Sequence, residues 1–343
     1  MIVRARAPLR LGFGGGGSDL SPYCDTYGGY VLNATIDKYA YAMIEPCAGH
    51  RVKLIAADQE ISVDGRTDEA FVFDGMLDLH KGVYNRIVRD YCDGRPPALT
   101  LTTMSDAPPG SGLGSSSTLV VAMVKAFVEL LNLPLGEYDV AHLAFEIERR
   151  DVGLSGGRQD QYAATFGGVN FMEFYGDDRV VVNPLRVKNW ILSELEACTI
   201  LCHTGQSRSS AVIIEEQMRN LSSGASSEAV VAMHRVKQEA LHMKESLLKG
   251  DFKQFVDAIN TSWESKKRTA RNISNVRIET IQAAGLAAGA RAVKVSGAGG
   301  GGFMMFFVDP GQRMRVIRAL EAQEAQTLTC HFTKHGTEGW KIY

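Results

Sequence analysis

The chain has 343 residues, of which 45% are hydrophobic and 22% charged, and its formal net charge is −2. Since this length exceeds that of one typical domain, we expect two lobes with a cleft between them. The small net charge, without blocks of like charge, argues against nucleic acid or an anionic membrane as a partner and favours a small molecule. No apolar run reaches transmembrane length, and the six cysteines are scattered without a Cys-x-x-Cys pair. These features predict a cytoplasmic protein with reduced thiols and no membrane contact.

The first segment combines a strand with a glycine-rich loop. Residues 2–13 have the composition of a β-strand, and the run 14–19, which ends at Asp19, follows directly. The glycine spacing formally matches a dinucleotide-binding fingerprint, but that motif needs a long helix next, and Pro22 and a glycine pair interrupt the following segment. We interpret the segment as a loop that places Asp19 beside a ligand. A loop in which Asp19 only caps a short helical turn is equally compatible with the sequence.

The next part of the chain predicts a largely β layer. Residues 30–36, 39–45, 52–56 and 71–73 are strand-like runs separated by polar turns. Residues 77–91 repeat apolar side chains at helical spacing and predict a helix.

A glycine- and serine-rich loop at 108–118 separates a strand from a strongly apolar helix. Residues 99–103 alternate apolar and hydroxyl side chains, and residues 119–131 carry apolar side chains at helical spacing up to Pro134. Glycines let the backbone approach a ligand closely, and the unpaired N–H groups and positive dipole end of the helix favour an anion. The adjacent serines add hydroxyls for phosphate oxygens or a metal ion. An ordinary serine-capped helix would need fewer glycines and hydroxyls, so we predict a phosphate-binding loop.

Two acidic residues downstream are candidates for chemistry. Residues 137–150 predict a helix in which Glu148 lies near the C-terminal end, where the helix dipole disfavours a carboxylate. A compensating cation is therefore needed, and it is either a salt-bridge partner such as Arg149 or Arg150, or a metal ion. Asp160 lies at or near the start of the next short helical segment, where it is either a cap or an ionised catalytic group.

From about residue 183 the pattern changes to helices alternating with strands. Strands are predicted at 197–203, 292–296, 303–308 and 327–332. A further glycine run, 296–302, separates two of them. This half predicts an α+β lobe with helices over an antiparallel sheet, and we place the boundary near residue 180, giving domains 1–180 and 181–343.

Three glycine-rich loops at the start, middle and end of one chain resemble the GHMP kinases, the superfamily of galactokinase, homoserine kinase, mevalonate kinase and phosphomevalonate kinase. Residues 109–117 (Pro-Gly-Ser-Gly-Leu-Gly-Ser-Ser-Ser) are similar to its ATP-phosphate motif nearly letter for letter. Residues 7–10 (Ala-Pro-Leu-Arg), with Gly15 and Asp19, resemble its first motif, and residues 294–301 its third. The resemblance implies a two-lobed α+β GHMP kinase fold, with an ATP and substrate cleft between an N-terminal β-rich lobe and a C-terminal ferredoxin-like lobe.

Within this superfamily, segments 7–19, 30–36, 157–168 and 183–186 resemble the bacterial D-glycero-D-manno-heptose 7-phosphate kinases. The resemblance implies ATP-dependent phosphorylation of the anomeric C1 hydroxyl of heptose 7-phosphate to the 1,7-bisphosphate, in the synthesis of GDP-heptose and surface polysaccharide (lipopolysaccharide or capsule). L-Fucokinases share parts of the pattern and are the first alternative. A non-catalytic nucleotide or sugar sensor is the second. Where galactokinase and mevalonate kinase carry Gly-Glu-His in the first motif, this chain has three glycines at 15–17, which leaves the sugar contacts to Asp19 and backbone N–H groups.

The resemblance also implies roles for individual residues. Asp160 would be the catalytic carboxylate, and Arg10 would lie near the transferred phosphate. Mg²⁺ would be held by Ser116 and Glu148. The ATP phosphates would contact the loop residues Pro109, Gly110, Ser111, Gly112, Leu113, Gly114, Ser115 and Ser116. The sugar phosphate would contact Asp19, Gly15, Gly16, Arg208, Lys294, Gly299 and Gly300.

A substrate with a distal phosphate needs cations away from the ATP phosphates. Arg208 lies in a Ser/Thr-rich turn before a helix, and its planar guanidinium suits phosphate. Lys266, Lys267 and Arg271 are the other candidates. A solvated surface charge is the simpler interpretation of these three, and for Arg208 it is equally compatible with the sequence. The sequence leaves the oligomeric state open, and a homodimer is compatible with it.

Overall fold

The computed structural model describes residues 1–206 and 210–343, which form two sheets with helices packed on them. The strands are β1 (Ile2–Gly14), β2 (Gly29–Pro46), β3 (Arg51–Ala56), β4 (Ile61–Arg66), β5 (Leu99–Ser105), β6 (Val169–Phe174), β7 (Val180–Pro184), β8 (Thr199–His203), β9 (Ala290–Val295), β10 (Phe303–Val308), β11 (Gln326–Leu328) and β12 (Glu338–Ile342). The helices are α1 (Tyr23–Tyr27), α2 (Asp78–Tyr91), α3 (Ser115–Leu131), α4 (Glu137–Glu146), α5 (Gln159–Phe166), α6 (Asn189–Cys198), α7 (Ser210–Leu221), α8 (Glu228–Lys249), α9 (Phe252–Lys267), α10 (Val276–Ala287) and α11 (Arg313–Glu321).

The larger sheet builds the N-terminal lobe from eight strands. Six of them have the order β12-β1-β2-β5-β3-β4, while β6 pairs with β2 and with β7. The pairing of β3 with β5 is parallel and the others are antiparallel. The end of the chain returns to this lobe, because β12 pairs with β1, and β7 at the predicted boundary also belongs to this sheet. The division into 1–180 and 181–343 stays a prediction.

The core of this lobe is formed by the alternate residues of β1 that point inward and by the apolar side chains of α3. Val3, Ala5 and Ala7 lie in one cluster with α3, in which residues 120–124 have no exposed surface. Since apolar side chains cover nearly every face of α3, the sheet and helices α2 and α4 enclose it. This packing fixes the start of α3 and therefore the glycine-rich loop that precedes it.

The smaller sheet has the order β11-β8-β10-β9 and is antiparallel throughout. Strand β10, one of its two inner strands, is buried on both faces. Met304 and Phe306 pack in one cluster with α10 and α11, whereas Met305 and Phe307 pack in another with α8, α9 and the end of β1. The predicted α+β lobe with helices over an antiparallel sheet is confirmed, and α8 and α9 connect it to the first lobe.

Some local predictions were wrong. Residues 71–73 form no strand; the Phe71 ring packs edge-on against Tyr84, while Val72 and Phe73 are exposed. The predicted strand 327–332 ends at Leu328, and β7, α6 and β12 were not predicted. The helix predicted at 137–150 ends at Glu146 and continues as a π-type turn, Ile147–Asp151.

Candidate active site

Strand β1, which precedes the first glycine-rich loop, meets the middle loop and the start of the last loop at the carbonyl group of Gly112. Arg10 Nη1 donates to this oxygen at 2.7 Å and Ser296 Oγ at 2.9 Å, while the Arg10 backbone N–H donates to the carbonyl oxygen of Leu113 at 3.0 Å. Gly112 has a φ of +78°, and a Cβ there would lie 2.4 Å from the carbonyl oxygen of Ser296. Only glycine permits this approach of the two loops.

Two adjoining cavities open at this junction. The first, of about 430 Å³, is lined by the predicted phosphate loop together with Glu148 and Asp160. Its loop residues are Pro109, Gly110, Ser111, Gly112, Gly114, Ser115, Ser116 and Ser117. The Leu113 side chain is instead buried in a hydrophobic cluster. The second cavity, of about 60 Å³, is lined in part by Gly16, Asp19 and Lys266.

Arg10 and Asp160 form an ion pair that lines both cavities. Arg10 Nε lies 2.7 Å from Asp160 Oδ1, and the two side chains are 4% and 21% exposed. The pairing of β1 with β2 shifts register between Pro8 and Arg10. Such an irregularity re-aims a side chain, and here it accompanies an arginine buried in the cleft. The ion pair therefore lies between the two cavities, where a ligand bound in one would meet a ligand bound in the other.

Glu148 is enclosed by donors at the end of the first cavity. Ser116 Oγ donates to its Oε1 at 2.7 Å, and Gln161 Nε2 donates to its Oε2 at 2.7 Å. Arg149 Nη1 lies 3.2 Å from Oε1, and the Glu148 side chain is only 1% exposed. The π-type turn brings both residues to the cavity, so the arginine compensates the carboxylate here.

The same oxygens fit a magnesium ion. A serine hydroxyl and a carboxylate 2.7 Å apart are hard oxygen donors of the kind that Mg²⁺ prefers, with its remaining positions taken by water and phosphate. Within residues 1–206 and 210–343 no group of three or more His, Cys, Asp or Glu side chains is placed to hold a metal ion. A small donor set of this kind suits a metal that arrives with a nucleotide.

Asp19 connects the first loop to the segment that carries Asp160. Its Oδ2 accepts from the backbone N–H groups of Arg158 and Gln159 at 3.0 and 3.1 Å, and its Oδ1 accepts from the Gly17 backbone N–H and from Gln159 Nε2. Asp19 thus satisfies N–H groups at the start of α5, and it also lines the second cavity.

Lys266 is a buried cation of the second cavity, so its interpretation as a surface charge was wrong. Its Nζ donates to the carbonyl oxygen of Gly297 at 2.6 Å. Burial lowers its pKa to about 8, and Asp19 and Asp160 oppose this shift while Arg10 adds to it. Lys267 pairs with Glu264 and lines a separate cavity with Arg271. Arg208 lies outside the residues that the structure describes.

Four other predicted substrate ligands make backbone contacts away from the two cavities. Lys294 Nζ donates to the carbonyl oxygens of Gly12 and Phe13, and burial holds its pKa well below the usual range. A Cβ at Gly15 would lie 1.7 Å from the Tyr30 carbonyl oxygen. Gly299 and Gly300 pack against Ile273. Their role toward substrate stays a prediction. Arg149, Gly297 and Ala298 line both cavities and were not predicted.

Comparison with known proteins places this architecture in a family. The model of the GHMP kinases N terminal domain matches residues 78–168, and that of the GHMP kinases C terminal domain matches 243–326. A curated relative, D-glycero-alpha-D-manno-heptose 7-phosphate kinase of Campylobacter jejuni, is 48% identical over 99% of both chains. The chain belongs to the GHMP kinase family. This confirms the predicted family and two-lobed fold.

The names of two further relatives of this GHMP kinase refer to different substrates. A crystal structure of a D-glycero-D-manno-heptose 1-phosphate kinase from Bacteroides thetaiotaomicron superposes with a TM-score of 0.85 at 45% identity, covering 99% of each chain. L-fucokinase/L-fucose-1-P guanylyltransferase of Bacteroides fragilis is 24% identical over 93% of this chain and 36% of its own length. In the described part of the GHMP kinase, none of the helices has the length and apolar character needed to span a bilayer.

Proposed function

We propose that this GHMP kinase transfers the γ-phosphoryl group of ATP to the anomeric C1 hydroxyl of D-glycero-D-manno-heptose 7-phosphate, giving the 1,7-bisphosphate. The 48% identity to the Campylobacter jejuni enzyme over nearly all of both chains is the observation that carries the proposal. The reaction would take place in the cytoplasm and supply the synthesis of GDP-heptose and surface polysaccharide.

The cavities suit a nucleotide that runs along the start of α3. A cavity of about 420 Å³ adjoins the first one, and the two share Pro109, Ser115, Ser116 and Leu154. Its other walls include Leu77, Leu79, Leu119 and Val152, which give a purine base apolar contacts. The base would lie there, and the phosphates would lie against the loop, where backbone N–H groups and the helix dipole favour anions.

Ser116 and Glu148 would hold Mg²⁺ at the phosphate end of this path. The bound ion would supply positive charge that neutralises and aligns the phosphate oxygens. The protein supplies the rest of the alignment, because the packing of α3 fixes the loop. Glu148 is held in turn by Gln161, which lies on α5 next to Asp160.

Asp160 would act on the acceptor. In the transfer, the C1 oxygen forms a bond to the γ-phosphorus, the bond from that phosphorus to the bridging oxygen of ADP breaks, and the hydroxyl proton passes to the Asp160 carboxylate. Arg10 fixes the orientation of this carboxylate through the 2.7 Å ion pair. Asp160 therefore contributes mainly by positioning, and it takes the proton late.

The second cavity would receive the sugar phosphate. At about 60 Å³ it is too small for a whole heptose phosphate, so the acceptor must extend from it into the first cavity. Besides Arg10 and Arg149, Lys266 is the described cation that lines this cavity, and Arg208 is the sequence-based candidate. We assign the distal phosphate to Lys266 and Arg208. Asp19, whose two carboxylate oxygens already accept four hydrogen bonds from Gly17, Arg158 and Gln159, would hold these segments together around the sugar.

The acceptor can be identified by measuring the release of ADP from Mg-ATP in the presence of different candidate substrates. The panel is heptose 7-phosphate, heptose 1-phosphate, L-fucose, galactose and mevalonate, and an Asp160→Ala preparation controls for contaminating kinases. We expect ADP with heptose 7-phosphate, and a ³¹P resonance coupled to the anomeric proton in the product. ADP with heptose 1-phosphate or L-fucose alone would refute the assignment. Nucleotide binding without ADP from any acceptor would identify a sensor.

A further inference from the structure

Arg149 lies where the cavities of the active site meet. Its side chain lines the first and second cavities and a third one of about 240 Å³ beside Asp19. Two other cations face the same site, and both are held by short bonds. Arg10 Nε lies 2.7 Å from Asp160 Oδ1, and Lys266 Nζ lies 2.6 Å from the carbonyl oxygen of Gly297.

The contacts of Arg149 are longer than those of the other two cations. Its guanidinium nitrogens lie 3.2 Å from Glu148 Oε1, 3.3 Å from Ser117 Oγ and 3.3 Å from the carbonyl oxygen of Gly157. Charge-assisted N–H···O bonds are typically about 2.7–2.9 Å long. Its charge partner Glu148 is also the carboxylate that fits Mg²⁺. With a further contact of 3.4 Å to the carbonyl oxygen of Leu154, the guanidinium is held by four long contacts and no short one, and a bound metal would compete for its countercharge.

The path of the Arg149 side chain accounts for a glycine in the adjacent loop. A Cβ at Gly156 would lie 2.2 Å from Arg149 Cζ and 2.4 Å from its Nη2. Gly156 does not have a positive φ, so its backbone conformation is open to any residue. At the neighbouring Gly157 a Cβ would lie 1.9 Å from Asp19 Oδ2. Each of these two glycines leaves room for one charged side chain of the site.

We propose that Arg149 is a further catalytic residue that contacts the γ-phosphate of bound ATP, and that position 156 is glycine because the guanidinium occupies the space of its side chain. Phosphoryl transfer is accelerated by positive charge on the oxygens of the transferred group. Arg149 lines the first cavity, so a phosphate bound there would give the guanidinium a new anionic partner when Glu148 would hold a metal. The inference rests on the proposed function only in that ATP is the donor, and it holds for any acceptor.

Nucleotide binding without any sugar tests the contact directly. Calorimetry would compare Mg-ADP with the non-hydrolysable ATP analogue Mg-AMP-PNP on wild type and on Arg149→Gln. We expect the variant to lose at least about tenfold in affinity for AMP-PNP, because a hydrogen bond to a charged phosphate is lost, and less than about twofold for ADP. At saturating Mg²⁺ its kcat should fall by about 10²- to 10³-fold with an unchanged KM for the sugar phosphate. Equal losses for both nucleotides, or no loss, would overturn the proposal.

Gly156→Ala tests the same contact while the arginine is retained. Since the clash involves the flexible end of a side chain, the added methyl should displace the guanidinium and reduce affinity for AMP-PNP alone. The double variant with Arg149→Gln should then match the single Arg149→Gln variant, because both changes act on one contact. Gly311→Ala is the matched control, since open space surrounds that position and wild-type binding is expected. Additive losses in the double variant would refute the link.

These measurements are independent of the acceptor. If the wild type failed to phosphorylate heptose 7-phosphate, the proposed function would be refuted while the comparison of the two nucleotides would still stand. If Arg149→Gln bound both nucleotides like the wild type, the role of Arg149 would be refuted while the acceptor assignment would still stand.

Discussion

Replacing Lys266 by methionine should stabilise the protein and weaken acceptor binding at the same time. Burial lowers the pKa of Lys266 from 10.5 to about 8, which corresponds to a cost of about 3 kcal/mol for the buried charge. Methionine keeps the long apolar stem without the charge, and the lost hydrogen bond to Gly297 offsets about 1 kcal/mol of the gain. We expect the free energy of unfolding at pH 7 to rise by about 2 kcal/mol, as measured by urea denaturation.

The pH dependence separates this charge effect from a packing effect. Lys266 takes up its proton at about pH 8 in the folded state and at 10.5 in the unfolded state. The cost is therefore fully present below pH 8 and disappears as the pH rises to 10.5, so the wild type gains stability over this range. The difference in unfolding free energy between Lys266→Met and wild type should shrink between pH 7 and pH 10. Groups common to both proteins cancel in this difference.

The same titration should appear in catalysis. kcat/KM for heptose 7-phosphate reports the ionisation of the free enzyme, and it should fall above about pH 8 as Lys266 loses its charge. The substrate phosphate stays doubly charged there, because its second pKa is about 6. Lys266→Arg, which keeps its charge, should lack this decline, and KM for ATP should not change. A Lys266→Met variant with an unchanged KM for the sugar phosphate and reduced stability at pH 7 would refute the reasoning.

Three further substitutions separate the roles of the other site residues. Asp160→Asn should lower kcat by about 10²- to 10⁴-fold and leave the calorimetric affinity for Mg-ADP within twofold, and a retained kcat would remove Asp160 as the proton acceptor. Glu148→Gln should raise the Mg²⁺ concentration for half-maximal activity by about tenfold or more, with Glu146→Gln, at the end of the preceding helix α4, as the control that leaves it unchanged. Arg208→Ala should raise KM for the sugar phosphate without affecting KM for ATP, and an unchanged sugar KM would exclude Arg208 from the site.

Local signals made the phosphate loop predictable. The glycine run, the serines and the apolar stripe of α3 are contiguous in the chain, so the order strand, loop and helix follows from periodicity and turn chemistry alone. The structure puts the loop at the start of α3 and residues 109–117, except for Leu113, along one cavity. The fold of the second lobe was predictable for the same reason, because β10 is a continuous apolar run and β8 and β9 are short segments rich in apolar residues.

Long-range contacts limited the prediction elsewhere. Lys266 lies in a Lys-Lys-Arg run that is typical of a solvated helix end, and its buried ammonium group donates to Gly297, which is distant in the chain. Strand β12 pairs with β1 at the other end of the chain, and its five residues have no strong strand pattern of their own. A one-dimensional pattern carries no information about such partners.

The π-type turn explains why the sequence left Glu148 with two alternatives. In a continuous α-helix, consecutive residues point about 100° apart, so an acid and its neighbouring arginine would not both be expected at one cavity. The wider turn from Ile147 to Asp151 lets Glu148 and Arg149 line the same cavity. The salt bridge and the metal site are therefore not exclusive, since both can use Glu148 at different stages.

The charges that line the site indicate how much additional positive charge the bound complex needs. Among the described lining residues of the two cavities, three acids face three cations: Asp19, Glu148 and Asp160, and Arg10, Arg149 and Lys266. This set is balanced before any ligand arrives, but ATP and a sugar phosphate each bring several negative charges. Anions are stable in a partly buried cleft only when paired, so the complex needs more positive charge than these six side chains provide. Mg²⁺ would supply part of it at the ATP end, and at the sugar-phosphate end the candidate is Arg208.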